Sequence, residues 1–142
     1  MTRDGSKIAD ADVVMSDGTN SSSYTSGSDG SVSGSLTSGS ASTVTASLAY
    51  SSSTKAISSQ DALDTLKLSV GMTTAAGTKN AFDFMSADFN QDGKVSSQDA
   101  LSILKYSVGL PTTEQAKWVF VDTNGDYSGV SKSNTSYTEG VS

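Results

Sequence analysis

Along this chain the spacing of apolar residues changes once, from alternation in the first fifty residues to a helical period from Ile57 onward. Between Thr43 and Tyr50, Val44, Ala46, Leu48 and Tyr50 share one side of an extended chain. Thr43, Thr45, Ser47 and Ala49 share the other, the pattern of a half-buried strand. Ile8 to Met15 and Ser31 to Leu36 carry the same β signal. Ser16-Asp17-Gly18, Gly27-Ser28-Asp29-Gly30 and Ser38-Gly39-Ser40 lie between them and supply the positive φ angles and Asx turns that hairpins require. The alternative for so polar a stretch is a Ser/Gly linker that buries too little to offset its ordering entropy.

The helical half contains a repeat. Ser58-Ser59-Gln60-Asp61-Ala62-Leu63-Asp64-Thr65-Leu66-Lys67-Leu68-Ser69-Val70-Gly71-Met72 aligns with the run from Ser96 to Leu110 at an offset of 38 residues, with four of fifteen positions different. Two copies are too few for a solenoid and suggest a pseudo-twofold pair of loop-helix units. Leu63, Leu66 and Val70, or Leu101, Leu104 and Val108, recur at three- and four-residue spacing. Each set predicts one apolar helix face, to be buried against the other copy, with Ser and Asp capping the start and Gly the end. Pro111 stops the second helix, and Trp118 to Val121 reads as an extended return that covers the pair.

The loop before the second helix carries the chemistry. Asp88-Phe89-Asn90-Gln91-Asp92-Gly93-Lys94-Val95-Ser96-Ser97-Gln98-Asp99 has oxygen-bearing side chains at its first, third, fifth and twelfth positions. The Lys94 carbonyl stands at the seventh, and Ser96, or a water it holds, at the ninth. Gly93 lies where such a loop must turn sharply. Three carboxylates so close repel one another, and a hard divalent cation relieves this by accepting six or seven oxygens at about 2.3–2.6 Å. Calcium suits the loop better than magnesium, which demands a tighter octahedron and keeps its waters. The alternative is an Asx-rich turn that caps a helix. Val95 is expected to point inward and couple the loop to the helix starting near Ser97.

A second candidate follows in Asp122-Thr123-Asn124-Gly125-Asp126-Tyr127-Ser128-Gly129. Here Asp122, Asn124, Asp126 and Ser128 are spaced for a cation, and Glu139 would have to complete the set from farther along. A hydrated Asx turn is the alternative.

Composition narrows the functions. The 142 residues hold no cysteine and no histidine, and the net charge is −6. Disulfides, thiolate sites and the usual neutral-pH base are thereby absent, and the field repels nucleic acid and anionic lipid. No apolar run is long enough to span a membrane. The polar start at Met1 to Gly5 and the capless tail Thr138 to Ser142 are expected of a segment of a longer secreted protein. Asn20-Ser21-Ser22 and Asn134-Thr135-Ser136 match glycosylation acceptors, a match frequent by chance in a Ser-rich chain.

Two resemblances refine these expectations. Gly5 to Val14, Ser28 to Leu36 and Ser42 to Ala46 loosely resemble the carboxypeptidase-regulatory-like, transthyretin-like β-sandwich, which implies a small spacer without catalysis. An Asp-terminated loop with no good helix before Asp88, followed by Ala100-Leu101 and paired with a second copy, resembles the type I dockerin repeat over about residues 50–110. That resemblance implies calcium ligands at Asp88, Asn90, Asp92, Asp99 and the Lys94 carbonyl. It also implies contact with a cohesin through Ser97, Gln98 and Lys105 and their mates Ser59, Gln60 and Lys67, which could equally be polar helix starts. The first copy departs from the pattern, since Tyr50, Ser52 and Thr54 stand where Asp, Asn and Asp belong. Asp61 is therefore expected to cap its helix rather than bind metal.

The expected fold is α+β: a small β-sandwich in residues 1–49, then in residues 50–142 an antiparallel dockerin-like pair with a C-terminal calcium loop. The expected function is noncatalytic, extracellular or cell-surface docking by a calcium-bound monomer to a cohesin-like protein. The alternative is a calcium-rigidified spacer or terminal module of an adhesin or secreted enzyme, packed on a neighbouring domain of its own parent chain.

Overall fold

Strand β1 (Asp12–Ser16) lies between β2 (Ser21–Thr25) and β3 (Thr43–Ser47) in one antiparallel sheet of order β2-β1-β3. The computed structural model describes residues 6–51, 56–77 and 79–138. The register pairs Val13 with Tyr24 and Ala46, and Met15 with Ser22 and Val44. Val13, Met15, Tyr24, Val44 and Ala46 therefore share one, largely buried or half-buried face with Ser22, while Ser21, Ser23 and Thr25 of β2 and Thr43, Thr45 and Ser47 of β3 lie on the exposed one. The alternation seen from Thr43 onward is thus the observed face of β3.

Strand β2 replaces the predicted strand at Ser31 to Leu36. Its sequence, SSSYT, has one apolar residue and pairs because the turn before it is tied. The Asp17 carboxylate accepts N–H bonds from Thr19 at 3.0 Å and Asn20 at 2.7 Å. Ser31 to Leu36 instead passes close to the sheet face: a Cβ on Gly34 would come within 2.7 Å of Met15 Sδ and 2.9 Å of the Tyr24 ring. Only glycine permits that approach. The Thr37 hydroxyl then donates to Asp17. Among the described residues there is one sheet and no second one facing it, so the expected sandwich is corrected to a single sheet crossed by an irregular segment.

The chain divides into two compact units, of which the sheet's also contains Lys117–Gly125. Trp118 to Val121, expected to return over the helices, clusters with the sheet instead and belongs to no strand. The other unit takes in Ser51–Ala116 and Asp126–Tyr137 and holds α1 (Ser59–Ser69), α2 (Ala81–Ala87) and α3 (Ser97–Ser107). In each helix an Asp at the third position accepts the N–H of the capping residue: Asp61 from Ser58, Asp83 from Asn80 and Asp99 from Ser96. The ends of α1 and α3 also match, with Met72 N–H on the Lys67 carbonyl at 2.8 Å and Leu110 N–H on that of Lys105 at 2.9 Å. Helix α2 extends the short run before Asp88 to two turns, so the loop does have a helix ahead of it.

Helices α1 and α3 pack together, but not through the predicted stripe. Buried positions are Ala62, Thr65 and Leu68 in α1, and Asp99, Ala100, Ser102 and Ile103 in α3. Ala62 with Ala100 and Thr65 with Ile103 occupy equivalent places in the two copies, whereas the mate of Leu68 is the half-buried Tyr106. The leucine stripes face outward instead. Leu63, Leu66 and Val70 are 45%, 43% and 64% exposed, and Leu101, Leu104 and Val108 are 51%, 42% and 61% exposed. Leu68 also joins Ala87, Val95 and Phe84 in the core beneath the loop.

Candidate metal centre

The loop from Asp88 to Asp99 is strung between two helices and rooted by Val95. Asp88 caps the end of α2, Asp99 sits in the first turn of α3, and Val95 is buried against Leu68 and Ala87. The chain reverses at Gln91 and Gly93, with φ angles of +57° and +92°. Gly93 adopts its angle without strain, whereas at Gln91 surrounding contacts must hold it. Two Asx turns shape the middle: Asn90 Oδ1 accepts Asp92 N–H at 3.0 Å, and Asp92 Oδ1 accepts Lys94 N–H at 3.2 Å.

Both end carboxylates are buried. Asp99 has no exposed surface and accepts Asn90 N–H at 3.2 Å, Ser96 N–H at 2.8 Å and the Ser96 hydroxyl at 2.8 Å. Asp88 accepts Asp92 N–H at 3.1 Å and Gly93 N–H at 3.0 Å, and the Thr135 hydroxyl donates to its Oδ2. Neither forms an ion pair with a cationic side chain among the described residues; the pairs found are Lys67 with Asp64 and Lys94 with Asp92. Two buried carboxylates on one loop, without a cation, are costly unless something positive joins them.

The donor set fits calcium by its chemistry. Asp88, Asn90, Asp92, Asp99 and the Lys94 carbonyl offer only hard oxygens. A carboxylate has about four acceptor sites, and three hydrogen bonds to each of Asp88 and Asp99 leave room for a metal. The carboxylates face the loop's own N–H groups, and among the described residues no three acids are gathered as a metal cluster. The Ser96 hydroxyl is directed to Asp99, where it serves the helix cap.

Other sequence candidates fall elsewhere. Ser52 and Thr54 of the first copy lie outside the described residues; Asp61 is exposed and accepts the Ser58 N–H and hydroxyl, both at 2.7 Å. Asp122 accepts Asn124 N–H at 2.8 Å within the sheet's unit, and Asp126 accepts Ser128 N–H at 2.9 Å within the helical one. Each makes an Asx turn of its own. Ser128 holds the Asp126 carboxyl below the usual carboxylate range, first through that N–H and then through its side chain. Glu139 lies outside the described residues.

The residues implied in partner contact lie on the outer faces of the helices. Ser97, Gln98 and Lys105 line a groove of about 640 Å³ with Leu101 and the loop from Pro111 to Glu114. Ser59 and Gln60 are exposed on α1, and Lys67 reaches Asp64 at 3.4 Å. Burial raises the Asp64 carboxyl, but the Ala75 N–H, the Gln60 side chain and Lys67 outweigh it and leave it below its ordinary value. At the equivalent place α3 has Ser102, and the acid is Glu114 of the following loop. It too is held low, first by the Thr113 hydroxyl and more weakly by Ser102 and Lys105. The two copies thus place a lysine beside an acid by different means.

Sequence reasoning missed Thr135, which is 2% exposed and bound to Asp88 from 47 positions away. The local pattern that includes it, the glycosylation match Asn134-Thr135-Ser136, carries no sign of a contact with Asp88. No protein-family model, curated protein or solved structure matches this chain.

Proposed function

We propose that this chain is a noncatalytic, calcium-bound docking module of a larger secreted protein, with the cation held by the loop Asp88 to Asp99. The observation that carries this reading is the pair of buried carboxylates, Asp88 and Asp99, that lack a cationic partner among the described residues. Asp88, Asn90, Asp92, Asp99 and the Lys94 carbonyl hold the ion, which supplies the positive charge that the two buried carboxylates lack and fixes the start of α3. The outward leucine stripes, flanked by Lys67 and Lys105, favour recognition of a cohesin-like protein over a role confined to the metal. Chemistry at the acids is not part of this reading, since no histidine or cysteine accompanies them.

Calorimetric titration of the full chain with calcium, paired with thermal melts, tests the metal. Calcium is expected to bind and raise the melting temperature, and Asp92→Ala to abolish both effects; an unchanged stoichiometry and melt in that variant would overturn the assignment. Binding to a panel of cohesins, in calcium and in chelator, tests the docking. Failure of every cohesin in calcium would leave the rigid-spacer alternative in its place.

A further inference from the structure

We infer that the segment Ser131 to Tyr137 is a strap over the metal loop, and that Thr135 is a positioning residue that holds Asp88 for the cation. The inference rests on the calcium reading of the loop given above. The segment begins in a tight turn, where Ser131 N–H meets the Asn134 carbonyl at 2.8 Å and Asn134 N–H meets the Ser131 carbonyl at 3.1 Å. It is then joined to the loop by two backbone bonds. Val95 N–H donates to the Lys132 carbonyl at 2.8 Å, and Thr135 N–H donates to the Gly93 carbonyl at 3.0 Å. Lys132 Nζ reaches the Ser69 carbonyl at the end of α1 at 3.3 Å, and the Gln91 amide donates to the Tyr137 hydroxyl at 3.4 Å.

These contacts give the strap a role in the site as well as beside it. A buried threonine hydroxyl has one proton to donate, and here it goes to a carboxylate, where a hydrogen bond is strongest. Of the three donors that fix Asp88, two belong to the loop and the third is Thr135. Loss of the strap leaves Oδ2 held by the Gly93 N–H alone and leaves the Gly93 carbonyl and Val95 N–H without these partners. Closure of the strap and ordering of the loop are therefore one step, and a cation that favours the ordered loop must favour the closed strap to the same degree. Hydrogen-bonded groups behind a metal-binding carboxylate commonly contribute about 10–100-fold in metal affinity.

The test combines calcium titration of the full chain as wild type, Thr135→Val and Thr135→Ser with hydrogen exchange of the wild type, with and without calcium. Thr135→Val should bind calcium about ten-fold or more weakly, and Thr135→Ser, which keeps the hydroxyl, close to wild type. The Val95 and Thr135 amides should exchange more slowly in calcium, together with those of Asp92 and Gly93. If Thr135→Val folds and binds calcium within about two-fold of wild type, or the two amides ignore calcium, the strap inference fails and the calcium reading stands. If Thr135→Val does not fold, the exchange measurement on the wild type decides alone. Absence of calcium binding by the wild type overturns both.

Discussion

The Thr37 hydroxyl, with the N–H groups of Asn20 and Thr19, holds the Asp17 carboxyl well below the usual carboxylate range. Because the folded-state pKa is depressed, the stabilisation is complete above the unfolded value of about 4 and is lost as pH falls through the folded one. Thr37→Val should therefore lower the melting temperature of the sheet at neutral pH. The gap from wild type should narrow below about pH 4, as melts across the acid range will show. At this scale the sequence revealed what was contiguous. Asp88 to Asp99 was legible because its donors follow one another at fixed spacing. The roles of Gly34, against Met15 and Tyr24, and of Thr135, on Asp88, depend on residues 10 to 47 positions distant.

At the scale of the helix, periodicity was legible and phase was not. Leu63, Leu66 and Val70 form the more hydrophobic stripe, yet α1 and α3 pack together with Ala62, Thr65, Ala100 and Ile103 as their buried positions. Small residues such as Ala62 and Ala100 let backbones approach, and the larger leucines are displaced to the outside. Truncation should separate the two faces. Ile103→Ala, at a buried site, should cost about 2–5 kcal/mol in denaturant unfolding, whereas Leu101→Ala, half exposed, should change stability by about 0.5 kcal/mol or less. The strands followed a related rule: β3 was legible from its alternation, while β2 was hidden because hydrogen bonding, rather than apolar content, makes it a strand.

At the scale of the molecule, the calcium reading proposed above predicts different responses from the two compact units. The metal loop belongs wholly to the helical unit, so calcium should raise the unfolding transition of the helices and leave that of the sheet in place. A free concentration about a hundred times the Kd adds about 2.7 kcal/mol to the unit that binds, and calorimetry that finds both transitions raised equally would contradict this division. The sequence change at Ile57 marked where helices begin, but not that Lys117–Gly125 rejoins the sheet's unit, since the unbroken apolar run Trp118 to Val121 carries no period to say what it covers. The strap has a mechanical consequence. Tension applied to the chain at Tyr137 is borne by Tyr137, Thr135 and Lys132, whose bonds end on Gln91, Asp88, Gly93 and Val95 and, through Lys132 Nζ, on Ser69. A pull on this end therefore loads the Asp88 to Asp99 loop together with the end of α1, and on the calcium reading proposed above the force at which this end yields should rise when calcium is added.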